Sequence, residues 1–215
     1  MQGLLGKKLG MTQVYDAQGR HVAVTAIELG PCTVLQRKTV ASDGYEAVQL
    51  GFSDCREKVT TKPEASHCKK AGATPKRHVR EFKLDAGDDP KVGEAVTVAA
   101  VFENIPFVDV TAVTKGRGFQ GVVKRHRMAG GPMTHGGHSK RRIGAIGQRT
   151  TPGTVAKNHR LPGHMGNVVV TQQNLRVVEL RGEQNLLLVR GAVPGPTGGL
   201  VIVQKAVKKK AVVAS

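Results

Sequence analysis

Hydrophobic and polar positions alternate over several short stretches in the first half of the chain. His21 to Glu28 alternate in character, and Cys32 to Thr39 and Ala47 to Phe52 continue the theme. Turn-forming residues at Asp16-Ala17-Gln18-Gly19 and Ser42-Asp43-Gly44 separate these runs. Alternation turns one face of a strand to a core and the other to water, so Thr12 to Phe52 reads as β-hairpins. The pattern breaks over residues 53–90, a mixed stretch rich in Lys, Pro and Ala, in which Lys62 to Ala71 reads as one short helix. The apolar, β-branched runs Val96 to Phe102 and Phe107 to Thr114 read as strands. After Asn167 strand patterning returns over Val168 to Gln172, Leu175 to Leu180, Asn185 to Arg190 and Leu200 to Gln204, with a turn at Arg181-Gly182-Glu183-Gln184.

Between these strands, residues 115–166 sustain neither a strand nor a helix period and contain twelve glycines, three prolines and five histidines. Such a segment is not expected to pack a core of its own. Connections of that length are functional or disordered. The economical architecture is therefore one mainly β domain, discontinuous in sequence over 1–114 and 167–205. It carries a small mixed α/β insertion at 53–90, a long irregular extension at 115–166 and a tail at 206–215.

Charge sharpens this division. The 215 residues contain 33 Lys plus Arg against 16 Asp plus Glu, a net charge of +17. That excess exceeds what solubility requires and points to a polyanionic partner; acidic membranes and acidic proteins are the alternatives to nucleic acid. Its distribution favours nucleic acid. From Val110 to Val178 there is no Asp or Glu but there are twelve Lys and Arg, so the remainder has 33 − 12 = 21 bases against 16 acids, or +5. Lys124-Arg125-His126-Arg127, Lys140-Arg141-Arg142, Arg149, Lys157 and Arg160 are spread through glycine-rich chain. Small residues permit close approach, and arginines bridge phosphates in bidentate fashion. A solvated basic linker would not explain Phe119, Val122, Val123, Met128, Ile143, Ile146, Val155, Leu161 and Met165, which need a surface to bury against. Aromatics are 3% with no Trp, so phosphate and shape contacts are expected over base stacking.

Other chemistry finds little footing. No run approaches the roughly 18 apolar residues of a membrane span, and Met1 to Thr12 lacks the apolar core of a signal peptide. No membrane partner and a cytoplasmic location are expected. Cys32, Cys55 and Cys68 are odd in number and share no Cys-x-x-Cys spacing, which suits unpaired thiols. The string Gly116-x-Gly118-x-x-Gly121 follows an apolar strand as a dinucleotide fingerprint would, but no acid follows before Glu179 to hold a ribose or a metal. Close backbone approach explains those glycines better. His126, His135, His138, His159 and His164 lack the cysteine or carboxylate company usual at zinc sites, and Cys55, His67 and Cys68 form an equally weak cluster. Hydrogen bonding to phosphate or base suits the histidines better. Acids and histidines occupy different parts of the chain, so no catalytic triad is suggested, and no metal, cofactor or small-molecule substrate is expected.

Several motifs resemble one family. The opening Gly3-Leu4-Leu5-Gly6-Lys7-Lys8-Leu9-Gly10-Met11-Thr12, then Asp43-Gly44-Tyr45-Glu46-Ala47-Val48-Gln49, and Thr114-Lys115-Gly116-Arg117-Gly118-Phe119-Gln120-Gly121 are similar to bacterial large-subunit ribosomal protein L-three. So are Gly144-Ala145-Ile146-Gly147-Gln148-Arg149-Thr150-Thr151-Pro152-Gly153, Leu161-Pro162-Gly163-His164-Met165-Gly166-Asn167, and Asn185-Leu186-Leu187-Leu188-Val189-Arg190-Gly191-Ala192-Val193-Pro194-Gly195. The resemblance runs across nearly the whole chain. It implies a closed or partly open β-barrel bound near the 3′ end of the large ribosomal RNA, a role early in assembly, and an extension reaching toward the peptidyl transferase centre. Neighbouring ribosomal proteins would be further partners.

On that reading the RNA-binding residues are Lys7, Lys8, Lys115, Arg117, Lys124, Arg125, His126, Arg127, His135, His138, Lys140, Arg141, Arg142, Gln148, Arg149, Lys157, Arg160 and His164. Gly144, Gly147, Pro152 and Gly153 would form a turn presenting Gln148 and Arg149 at the loop tip. Two positions depart from the resemblance. His126 stands where the family usually has Trp, and Thr150 where some members carry a methylated glutamine. The expected function is a non-catalytic ribosomal protein; a nucleotide-binding enzyme and a free-standing nucleic-acid or membrane-surface binder are the rivals.

Overall fold

The computed structural model describes residues 1–85 and 87–209, so the part of the expected basic tail from Lys210 onward lies outside the described residues. The chain divides into two compact units, Met1–Val113 with Val169–Ser215, and Thr114–Val168.

The first unit opens with β1 (Gly3–Tyr15), β2 (His21–Leu29), β3 (Cys32–Lys38), the short helix α1 (Val40–Asp43) and β4 (Ala47–Asp54). Next come α2 (Lys62–Lys70), β5 (Lys76–Lys83), β6 (Ala95–Val96), α3 (Val98–Phe102) and β7 (Phe107–Val113). The second unit contributes β8 (Phe119–Gln120), α4 (Val122–His126) and β9 (Gly163–His164). The chain then returns to the first unit through β10 (Val169–Arg181), β11 (Leu186–Arg190) and β12 (Leu200–Lys205).

Six strands close a barrel in the order β1-β12-β7-β10-β11-β2, with every pairing antiparallel. Closure gives each of the six strands a partner on both sides. Leu5, Ile27, Val108, Val110, Leu187, Val189, Val201 and Val203 fill the core, as strand alternation requires. A second sheet, β5-β4-β3-β6, adds Val34, Val48, Leu50 and Phe82 to the same apolar cluster. The α2 helix covers a smaller cluster of Leu35, Cys68 and Ala71. Its first turn is capped where the Thr61 N–H and hydroxyl both donate to Glu64 Oε2.

Several expectations change. Val96 to Phe102 is not a strand: only Ala95–Val96 pairs with β3, and Val98–Phe102 is helical, with Val98, Val101 and Phe102 buried. A short apolar run fits either structure, and here the spacing of its buried residues is helical. Ser42-Asp43-Gly44 ends the α1 helix rather than forming a bare turn, with Gly44 left-handed at φ 81°. The β1 strand starts nine residues before Thr12, at Gly3. A Cβ there would lie 2.4 Å from Val203 O, and one at Gly6 would lie 2.4 Å from Glu28 O, so these glycines let neighbouring strands approach. The runs on either side of Gln173 are a single strand, β10, with a register shift between Gln172 and Leu175. At that shift the Asn174 N–H donates to the buried Asp109 carboxylate at 2.7 Å.

Lys7 and Lys8 separate at once, because successive strand residues face opposite ways. Lys7 is exposed, but Lys8 is buried, with Nζ donating to Val193 O at 2.7 Å and Gly195 O at 3.3 Å. The expectation that Lys8 meets RNA is corrected: its ammonium holds the chain between β11 and β12. Cys32 is also buried, and burial pushes its thiol up to about 11.

Candidate nucleic-acid interface

The unit Thr114–Val168 holds eleven Lys and Arg, counted from Lys115 to Arg160, and no acid. Its described segments are tied mainly by backbone. At its base, Thr114 N–H donates to Val168 O, Arg117 N–H to Met165 O and Met165 N–H to Gly118 O, at 2.8 to 2.9 Å. The β8–β9 pair continues the closure with Phe119 opposite His164 and Gln120 opposite Gly163. Gly166 is required here: φ is +76° and a Cβ would lie 2.2 Å from Lys115 O.

Beyond β8 the α4 helix buries Val122. The left-handed Arg127, at φ 56°, ends the helix. Arg125 turns inward, its Nη1 donating to Leu161 O at 2.7 Å, and His126 Nε2 lies 3.0 Å from the same oxygen. A Cβ on Gly163 would sit 2.8 Å from Arg125 Nη1, so that glycine makes room for the guanidinium. Arg125 and His126 are thus half-buried braces, and His126, at the position of the expected Trp, makes a hydrogen bond rather than offering a platform.

A second knot forms where Gly131 N–H donates to Lys140 O at 2.7 Å and Arg142 N–H donates to Ser139 O at 2.6 Å. The expected turn near Arg149 lies at Thr150–Gly153, where Gly153 has φ +71° and a Cβ would meet Thr150 O at 2.9 Å. Gly144 and Gly147 do not shape it: a Cβ on Gly144 would meet nothing within 4 Å, and one on Gly147 only Thr154 O at 3.9 Å.

The remaining expected contact residues, Lys115, Arg117, Lys124, Arg127, His135, His138, Lys140, Arg141, Arg142, Gln148, Arg149, Lys157, Arg160 and His164, are all exposed. Among the described residues every ion pair lies in the barrel unit, as the acid-free composition dictates. Apolar side chains stand among these cations: Phe119 is 76% exposed, and Met133, Ile146, Val155 and Val168 are also exposed. Such a surface provides unpaired positive charge, backbone that can be approached closely, and apolar side chains for burial against a polyanion. Sequence counting alone also groups Arg176 with this unit, yet it lies on β10 of the barrel.

Comparison with known proteins agrees with this picture. A family model described as ribosomal protein L3 matches residues 79–185, which cover the whole extension and flanking barrel strands. The large ribosomal subunit protein uL3 of Corynebacterium jeikeium (strain K411) is 51% identical over 209 residues, covering 97% of this chain and 95% of the relative. That of Brachyspira pilosicoli is 47% identical over 210 residues, covering 98% and 96%. Similarity thus runs along nearly the full length of both relatives, and the chain belongs to the ribosomal protein L3 family.

Proposed function

We propose that the chain, a structural constituent of the large ribosomal subunit in the cytoplasm, binds large-subunit ribosomal RNA through residues 115–166, while residues 1–114 and 167–205 form the supporting barrel. One observation carries this reading: eleven cations in a stretch without acids, with all but Arg125 exposed. Lys and Arg displace condensed counterions from phosphates, so clustered unpaired cations favour nucleic acid strongly. The exposed apolar residues favour folded RNA, whose grooves and junctions cover them. Contacts to neighbouring ribosomal proteins belong to the same reading.

The family resemblance extends the proposal to binding near the 3′ end of that RNA, early action in subunit assembly, and approach of Gln148 and Arg149 to the peptidyl transferase centre. Peptide-bond chemistry then belongs to the RNA, with the protein bracing it. The test is incorporation. The wild-type chain should sediment with large subunits at one copy each through a high-salt wash, whereas reversing Lys140, Arg141 and Arg142 to Glu should release it at lower salt. Equal retention of both would remove the extension from the interface. Subunits carrying Arg149→Glu or Gly147→Trp should fill normally but change peptidyl transfer or the response to drugs bound at its centre. Normal occupancy with unchanged transfer, drug response and RNA probing would place Arg149 elsewhere.

A further inference from the structure

Where β11 ends, the barrel wall opens. The β10–β11 ladder stops at Val177 opposite Val189, and the β2–β11 ladder stops at Val24 opposite Arg190. The gap is a cleft of about 590 Å³ between the β1–β2 hairpin tip and β10, lined by Tyr15, Asp16, Arg20, His21, Arg176 and Arg190 among others. Arg176 and Arg190 lie one position beyond the last ladder pair, Val177 with Val189, so the continued register places the two residues opposite each other, and both line the cleft. Like charges there repel unless an anion joins them. The register shift between Val177 and Glu179 re-aims the side chains beside them.

The nearby acids are already engaged. Glu179 accepts from Arg181 at 2.7 and 3.1 Å, and that hydrogen bond is the main reason its carboxyl sits below the ordinary range. Asp16 accepts from the Arg20 side chain at 3.0 Å and from the Gln18 and Arg20 N–H groups at 2.9 and 2.8 Å. Tyr15 is 71% exposed, and its ring meets His21 edge-on at 6.1 Å, while His21 is held by Gln13 at 2.6 Å. The Arg20 N–H bond holds the Asp16 carboxyl low and the Arg176 charge also helps, so the cleft sets Arg20, Arg176 and Arg190 against Asp16 and Glu179 and keeps an excess of positive charge. An open aromatic ring in such a cleft suits a ligand that brings both a flat base and phosphates. An acidic peptide brings charge without the ring.

We propose that this cleft holds one unpaired nucleotide of RNA, with its flanking phosphates on Arg176 and Arg190 and its base against Tyr15. This is an RNA site on the barrel itself, and it rests on the reading that RNA is the chain's ligand. The chain has two tyrosines and no Trp, so Tyr45→Phe leaves Tyr15 as the main fluorophore. In that full-length variant, hexa-adenylate should quench Tyr15 saturably. Adding Arg176→Gln and Arg190→Gln, with far-UV circular dichroism unchanged, should weaken the effect at least about tenfold and reduce its logarithmic salt slope by about 1.4, as loss of two single-strand phosphate contacts requires. Hexaglutamate should not quench.

Anisotropy of a labelled large-subunit RNA fragment reports the extension in parallel. Binding by anisotropy without Tyr15 quenching by hexa-adenylate would overturn the cleft site alone. Equal quenching by hexaglutamate, or quenching insensitive to the two arginines, would overturn it as well. Tyr15 quenching without binding of the RNA fragment would instead uphold the cleft and sink the extension's role.

Discussion

Val113 and Val169 are register partners on β7 and β10, so the chain leaves and rejoins the barrel unit at facing positions. Closing a shorter loop between such positions costs less entropy. Deleting residues 116–165 and bridging with a short glycine linker should therefore leave a cooperatively folding barrel, with about 2 kcal/mol less loop-closure cost. Urea unfolding followed by circular dichroism checks this, and a broad, non-cooperative transition would show that the extension is part of the folding unit.

The same deletion should change RNA binding far more than stability. If about 6 to 10 phosphates are contacted, affinity for a large-subunit RNA fragment should fall by about 10³ to 10⁵ between 50 and 200 mM salt. Removing ten of the eleven extension cations, all but Lys115, should flatten that dependence. A titration over salt concentration measures both slopes, and identical slopes would assign the contacts to the barrel.

Lys8 should behave as a structural residue. Lys8→Met retains most of the aliphatic stem but leaves the Val193 and Gly195 carbonyls without their ammonium donor. Stability should drop by about 1 to 3 kcal/mol, while the salt slope of RNA binding stays the same. Lys7→Met, on the exposed face of the strand, should leave stability nearly unchanged. Denaturant midpoints for the two variants, measured alongside RNA titrations, separate these roles.

Cys32 should make the fold sensitive to alkali. Burial raises its thiol from an ordinary value of 9.0 to about 11, so the folded state prefers the neutral form. Its contribution is complete below the unfolded value and is lost as pH rises from about 9 toward about 11. That loss amounts to something on the order of 2 kcal/mol. Cys32→Ala should start less stable because of the cavity but lose less across that window. Parallel curves for the two proteins in urea unfolding at successive pH values would mean that the thiol titrates normally.

The strands around Val24, Val48, Val110 and Val203 were legible because half-buried strands leave an alternating trace. The extension was legible for a different reason: evenly spread cations without acids mark a surface, whatever its backbone does. Gly3 and Gly6 hid the start of β1, since a strand made tight by missing side chains shows little hydrophobic alternation. Five apolar residues carry no decisive period, so the helix at Val98 to Phe102 leaves no clear trace in the sequence. The inward turns of Lys8, Arg125 and His126 depend on which backbone carbonyl lies within reach, and that is a property of tertiary placement. Arg176 and Arg190 come to line one cleft only because β10 and β11 fold back on each other.

Antiparallel ladder bonds run perpendicular to their strands. Because Val113 and Val169 are paired at the ends of two antiparallel strands, a force applied at both of them along the strand axes draws β7 and β10 lengthwise in the same direction. The resisting ladders are the outer ones, β7 to β12 through five register pairs and β10 to β11 through four. Their bonds are loaded sideways and share the load, so the barrel cannot be peeled open one pair at a time. Shear across two ladders, rather than the unzipping of one, is therefore how these strands answer a pull along their own length.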